Sequence, residues 1–238
     1  MRKQPPNAIR MLGAAFFAVS LRHGAAPLNT GAPALRLRVR INNRGTVSIT
    51  FTNVSPLEIY TLLYKDGVFE KIQHSGSAIT SMAATNNEKL FGNWGDSNTQ
   101  TAGTYDPESG AWTTLPDIPG KPLNFGQRMN EAGTGIGQAC EGTWYSMSNC
   151  ISWTWDPRRQ EYEFVAVPGA TTTWPTGINN SERIAGTWTT ELNGYGELHG
   201  YLQNGDQFTT LTIPPALESD AKDINGAGES SSRFRGRL

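Results

Sequence analysis

The chain has 238 residues, of which 37% are hydrophobic and 17% charged, with a formal net charge of −1. That length suffices for one large domain with a core or two small ones, and the charge balance excludes the basic face that a nucleic-acid-binding protein needs. Charged residues are scarce for a soluble domain while Gly, Thr and Asn are plentiful, which suits short strands joined by many tight turns.

The N-terminus carries a positive stretch (Arg2, Lys3, Arg10), an apolar run from Met11 to Leu21 and the small residues Gly24, Ala25 and Ala26. This is the layout of a secretory signal peptide over residues 1–26, which leaves 27–238 as a single β-repeat domain of an exported protein, secreted or periplasmic. A cut after Ser20 is an alternative, and the competing reading is a disordered or membrane-peripheral N-terminus. No later segment reaches the ~18 apolar residues of a transmembrane helix.

An Asn-containing turn then recurs. It begins at Asn42, Asn86, Asn130, Asn179 and Asn225, at spacings of 44, 44, 49 and 46 residues. Gly follows three residues later in three copies, because Asn and Gly both tolerate the left-handed backbone of a turn. A second marker, an aromatic residue before a polar turn, appears at Tyr64, Tyr105, Trp155 and Tyr201. Short strand-like stretches follow each of these, and three of them end at Pro116, Pro168 and Pro214.

Each unit therefore reads as four short strands: one leading into the Asn turn, one carrying an apolar-Gly pair (Phe91-Gly92, Ile136-Gly137, Ala185-Gly186), one ending at the aromatic turn and one running to the proline. Four strands in about 45 residues is the size of a β-propeller blade. The fold class is all-β, a small β-propeller of four or five blades with the last incomplete; the other reading is a truncated array with an open edge. Arg233, Arg235 and Arg237 read as a solvated terminus.

The third interval is about five residues longer than the first two, and Cys140 and Cys150 lie in it. A longer hairpin between the second and third strands, tied across by a disulfide, accounts for both; two reduced thiols are the alternative. The three histidines, His23, His74 and His199, are scattered, so no metal site and no cofactor are expected.

The tract from Val165 to Gly228 carries Pro168-Gly169-Ala170, Ile178-Asn179, Ile184-Ala185-Gly186 and His199-Gly200-Tyr201. In these it resembles the HAF-type repeats of predicted extracellular bacterial proteins. Unit three matches through Asn130, Gly133, Ile136 and Gly137, and the first two units match loosely. The resemblance implies a secreted β-propeller-like protein and brings no catalytic residues with it.

Candidate chemistry is thin. Trp94 and Trp188 each stand two residues after a repeat glycine, and Gly142-Thr143-Trp144 looks like the same trio displaced. Trp94, Trp144 and Trp188 are the candidate ligand-binding residues, as stacking platforms for sugar rings; packing between units is the competing role. Asp96, Asp106, Glu141, Asp156 and Glu191 fall in or near predicted turns, with nothing to pair them as a glycosidase requires. Gly133 to Gly137 lacks the strand-then-helix context of a phosphate loop. The expected function is an exported binding module for a carbohydrate or protein ligand, with no catalytic residue named. A glycan-active hydrolase and a structural surface protein or degenerate remnant are the alternatives.

Overall fold

The computed structural model of the chain describes residues 36–54, 57–191, 197–212, 214, 216 and 218–235. The segment read as a signal peptide lies outside the described residues.

Every regular element among the described residues is a strand. Unit one consists of β1 (Arg36–Ile41), β2 (Val47–Val54), β3 (Leu57–Lys65) and β4 (Val68–Ile72). Unit two has β5 (Ile79–Ala84), β6 (Leu90–Gly95), β7 (Gln100–Asp106) and β8 (Ala111–Thr114). Unit three has β9 (Leu123–Met129), β10 (Gly135–Thr143), β11 (Ser146–Asp156) and β12 (Glu161–Val165). Unit four has β13 (Thr172–Ile178), β14 (Ile184–Thr189), β15 (His199–Asn204) and β16 (Gln207–Leu211), and a fifth pair consists of β17 (Glu218–Ile224) and β18 (Ser230–Arg235).

Within each unit successive strands pair antiparallel. The expectation of separate four-stranded sheets needs one amendment. Hydrogen bonding joins the first three units into one twelve-stranded network, whereas unit four and the β17–β18 pair stand as separate sheets. The links are parallel bridges of a single residue pair, Ile59 with Ile79 and Gln100 with Leu123.

The units pack on one another in a fixed way. The first strand of each lies against the second strand of the unit before: β5 on β2, β9 on β6, β13 on β10, β17 on β14. Successive side chains of a strand point to opposite faces, so each sheet turns apolar residues both ways. Leu63 and Ile72 of unit one meet Met82, Leu90, Trp94 and Tyr105 of unit two. Phe91, Ala102 and Leu115 of unit two meet Ala139, Trp153 and Trp155 of unit three. Ile136 and Val167 meet Ile178, Ile184 and Tyr201, and Ala185 meets Ala221 and Ile224. One apolar layer thus fills each junction, each large side chain contributing about 1.5–3 kcal/mol through burial, and no unit covers its own faces.

The apolar-Gly pairs have a steric cause. A Cβ at Gly92, Gly137 or Gly186 would collide with a first-strand carbonyl, that of Ser81, Phe125 or Trp174 respectively. At Gly137 and Gly186 it would also enter the rings of Trp153 and Tyr201.

The turns realign the repeat. In each, the backbone N–H of the first residue donates to the carbonyl four residues on: Asn42 to Thr46, Thr85 to Lys89, Asn130 to Thr134, Asn179 to Arg183 and Asn225 to Glu229. The residue equivalent to Asn42 is therefore Thr85, and Asn86 stands one place later, level with Asn43 and Asn180. The residue three places on has a left-handed backbone in all five turns: Gly45, Glu88, Gly133, Glu182 and Gly228, with φ of 86°, 67°, 90°, 59° and 86°. The aromatic marker also shifts in unit four. Tyr201 pairs across from Gly186, as Trp153 does from Gly137, whereas Tyr105 pairs with Leu90 nearer the turn.

The third hairpin is lengthened as expected, and a disulfide joins Cys140 on β10 to Cys150 on β11. Lys121 braces the same hairpin, donating to the Glu141 carboxylate (2.9 Å) and the Asn149 carbonyl (2.6 Å). Its tip leans on unit two, where the Trp144 N–H donates to the Ser97 carbonyl at 2.7 Å.

Candidate functional site

The three tryptophans named from the sequence lie in three separate clusters. Trp94 is 5% exposed, packed in the junction between units one and two, with His74 stacked on it at 5.2 Å and Trp112 edge-on at 4.9 Å. Trp188 is half-buried at the junction of units three and four, against His199 at 4.5 Å. Trp144 packs edge-on to Phe125 beside the disulfide. Its equivalence to the other two does not hold. In the strand register the place of Trp94 and Trp188 falls in unit three to Ala139, two residues after Gly137 and fully buried. The space is taken from the next strand by Trp153, also fully buried.

The turn carboxylates hold their own turns. Asp96 accepts the N–H groups of Asn98 and Thr99, Asp106 those of Glu108 and Ser109, and Asp156 those of Arg158 and Arg159. These bonds favour the charged form. The Asp96 and Asp106 carboxyls lie below the usual range chiefly through the backbone N–H groups, that of Asp156 first through the Arg159 side chain and then through its backbone bonds. Glu141 is likewise lowered, by its bonds to Lys121 and Asn149. No group of three or more His, Cys, Asp or Glu among the described residues could hold a metal ion.

Residues from all five repeats meet elsewhere. A polar cavity of about 300 Å³ is lined by the ends of the first strands and the turns that follow them, in every unit. Its charged members are Arg40, Arg128 and Asp223, each two residues before the turn residue of its unit. Unit two has Ala83 at that place and unit four Gly177. Arg128 is 12% exposed at its side chain and pairs with Asp223 at 3.2 Å. Burial pulls its pKa down, with Asp223 opposing. Arg40 is pulled down to about 10, first by burial and then by the charge of Arg128, with Asp223 again opposing. Two like charges are therefore held together out of full solvent, with one carboxylate to offset them.

The turns themselves are bonded unit to unit beside this cavity. Asn42 Nδ2 donates to the Thr85 carbonyl (2.9 Å), Asn130 Nδ2 to that of Asn179 (3.2 Å) and Asn179 Nδ2 to that of Asn225 (3.1 Å). One place on, Asn86 Oδ1 accepts from the Asn43 N–H (2.8 Å) and Asn180 Oδ1 from the Glu131 N–H (3.0 Å). Asn86 and Asn180 both line the cavity, and with their oxygens so used their NH₂ groups remain available as donors.

Sequence reasoning missed this site. A signal existed, since charged residues stand at one fixed offset from the turn in three of the five units. Reading it required the alignment through Thr85.

A second cavity of about 320 Å³ lies between units three and four. Its Arg159 is already paired with Asp156 and Glu163, and its Glu182 accepts from Thr134.

Repetition of antiparallel units with the ends of their first strands gathered around one cavity is a β-propeller-like architecture. No protein-family model matches the chain, and no curated protein matches it in sequence. Among solved structures, the uncomplexed acylaminoacyl peptidase of Pyrococcus horikoshii is similar with a TM-score of 0.50 at 11% identity, over 81% of this chain and 34% of that one. Its orthorhombic crystal form gives 0.49 at 10% identity, over 75% and 32%. The β-propeller domain of the Trilobed protease from Pyrococcus furiosus gives 0.48 at 8% identity, over 87% and 80%. The chain spans about a third of the length of the two peptidase chains. At such identities the likeness is one of fold alone.

Proposed function

We propose that the chain is an exported β-propeller-like binding module of five units, the fifth with two strands, which takes its ligand at the axial cavity. The observation that carries the reading is that this polar cavity draws lining residues from all five repeats, as the ligand sites of closed β architectures commonly do. The Cys140–Cys150 disulfide agrees with an oxidising compartment, and the charge pattern of residues 1–26 agrees with export. The HAF-type resemblance of units three to five belongs to the same reading.

Trp94 and Trp188 serve in it as junction residues that set the spacing of the units, and the loops around the axis carry recognition. The test is a glycan and peptide array probed with the folded chain and with an Asn180→Trp variant, which plugs the mouth at an exposed position. Binding of the wild-type chain that the plug removes supports the axial site. Ligands that bind both proteins equally would show that recognition lies elsewhere on the surface.

A further inference from the structure

The charged and free polar side chains of the axial cavity are chiefly donors. Arg40 and Arg128 contribute two guanidinium groups, and Asp223 is the one carboxylate lining the cavity among the described residues. Asp223 is engaged by Arg128. The Arg40 guanidinium donates to its neighbour's carbonyl, Val39 O, at 3.1 Å, which leaves most of its five N–H groups without an acceptor among the described residues. Asn86 and Asn180 add NH₂ donors whose orientation is set by the backbone bonds at their oxygens. Arg38 lies two residues back on β1, lining a small adjoining cavity together with Arg40 and Arg128, and adds to the positive potential.

Such a lining is incomplete without an acceptor that carries negative charge. The cavity's own charges, two arginines against one aspartate, leave a single positive charge. A carboxylate matches it, in the two-pronged geometry that guanidinium favours. A doubly charged phosphate exceeds that single charge and meets twice the repulsion from Asp223 that a carboxylate does. The volume, about 300 Å³, stands at the lower end for small-molecule sites, and the amide donors suit hydroxyl and ring oxygens.

We infer that the axial cavity binds a carboxylate carried on a small hydroxylated ligand of the uronic acid class, with Arg40 taking the carboxylate and Asn86 and Asn180 the hydroxyls. This rests on the reading of the cavity as the ligand site.

The experiment is calorimetric titration of the full chain with sodium glucuronate, glucose and glucose 6-phosphate at low salt. Glucuronate is expected to bind at least tenfold more tightly than either of the others. Arg40→Gln should weaken it at least tenfold while circular dichroism is unchanged and unfolding stays cooperative, and Arg40→Lys should recover part of the affinity. Glucose binding as tightly as glucuronate, or glucose 6-phosphate binding more tightly, overturns the carboxylate inference. If that binding is removed by Asn180→Trp, the cavity still stands as the ligand site. No heat with any of the three overturns the inference alone, whereas binding indifferent to both Arg40→Gln and Asn180→Trp overturns the inference and the axial site together.

Discussion

Asn179 holds two turns with one side chain: its Oδ1 accepts from Ser181 and Arg183 in its own turn, and its Nδ2 donates to the Asn225 carbonyl of the next unit at 3.1 Å. An aspartate could do the first but not the second. Asn179→Asp should keep the turn and lose the link, and Asn179→Ala should lose both. Each lost bond at this buried site costs about 1–3 kcal/mol. Urea unfolding of the two variants separates the terms, with the alanine variant expected to have the lower midpoint. Equal midpoints would mean that the bonds within the turn contribute nothing.

The relay has a gap at Thr85. Its hydroxyl bonds to Asn87 and to the Lys89 carbonyl at 2.7 Å, inside its own turn, and no side-chain bond runs from it to the turn of unit three. Thr85→Asn supplies the missing Nδ2 toward the Asn130 carbonyl. A gain of about 0.5–1.5 kcal/mol is expected, read as a higher urea midpoint with unchanged slope.

Glu88 and Glu182 occupy the left-handed turn position where the other three units have glycine. A side chain there is strained, and both carboxylates compensate by reaching back one unit. Glu182 accepts from Thr134 at 3.0 Å, and Glu88 meets Arg44 at 3.4 Å and Lys65 at 3.2 Å. Glu182→Ala keeps the strain and drops the bond, whereas Glu182→Gly drops both. The glycine variant should be the more stable of the two by about 1 kcal/mol. Thermal melts compared at matched pH check this order.

The Cys140–Cys150 bridge closes a short loop, its cysteines lying 10 positions apart, for which the chain-entropy model gives about 2–3 kcal/mol. Reductant should lower the unfolding midpoint of the wild-type chain and leave a Cys140→Ala, Cys150→Ala variant unmoved. A wild-type midpoint indifferent to reductant would show that Lys121 and the strand pairing hold the hairpin unaided.

Burial, and then the charge of Arg128, lower the folded-state pKa of Arg40 to about 10, below the ordinary value of a guanidinium. The folded chain therefore binds that proton less tightly than the unfolded chain. The resulting destabilisation is fully present below pH 10 and fades only as pH rises from there toward the ordinary guanidinium pKa. At neutral pH, Arg40→Gln should raise the urea midpoint. A group retained at a cost to stability is what a binding site displays.

Much of the architecture is written locally in the chain. Four strands per unit follow from turn residues at regular spacing, and the strand ends follow from proline. The longer third hairpin and its disulfide follow from the insertion and from two cysteines within it. These features depend on backbone sterics and on contacts within a few tens of residues.

Alignment of the second turn did not follow, because Asn86 resembles Asn42 in type while Thr85 matches it in backbone bonding. The tryptophans read as equivalent from Gly-x-Trp spacing, but Trp144 caps a hairpin, and in unit three Trp153 from the adjacent strand fills the place that Ala139 leaves. Packing volume is shared across strands, so a one-dimensional pattern does not say which strand supplies the ring.

By itself the sequence determined the spacing of the repeat, the strand count of a full unit and the chemistry of its turns, since each is set by φ preferences and short-range pairing. Only the tertiary structure decided that Arg40, Arg128 and Asp223, spread over nearly the whole described chain, share one cavity. The charge of each is plain in the sequence, but its electrostatic consequence depends on distance and burial, and both exist only once the five units are set around a common axis.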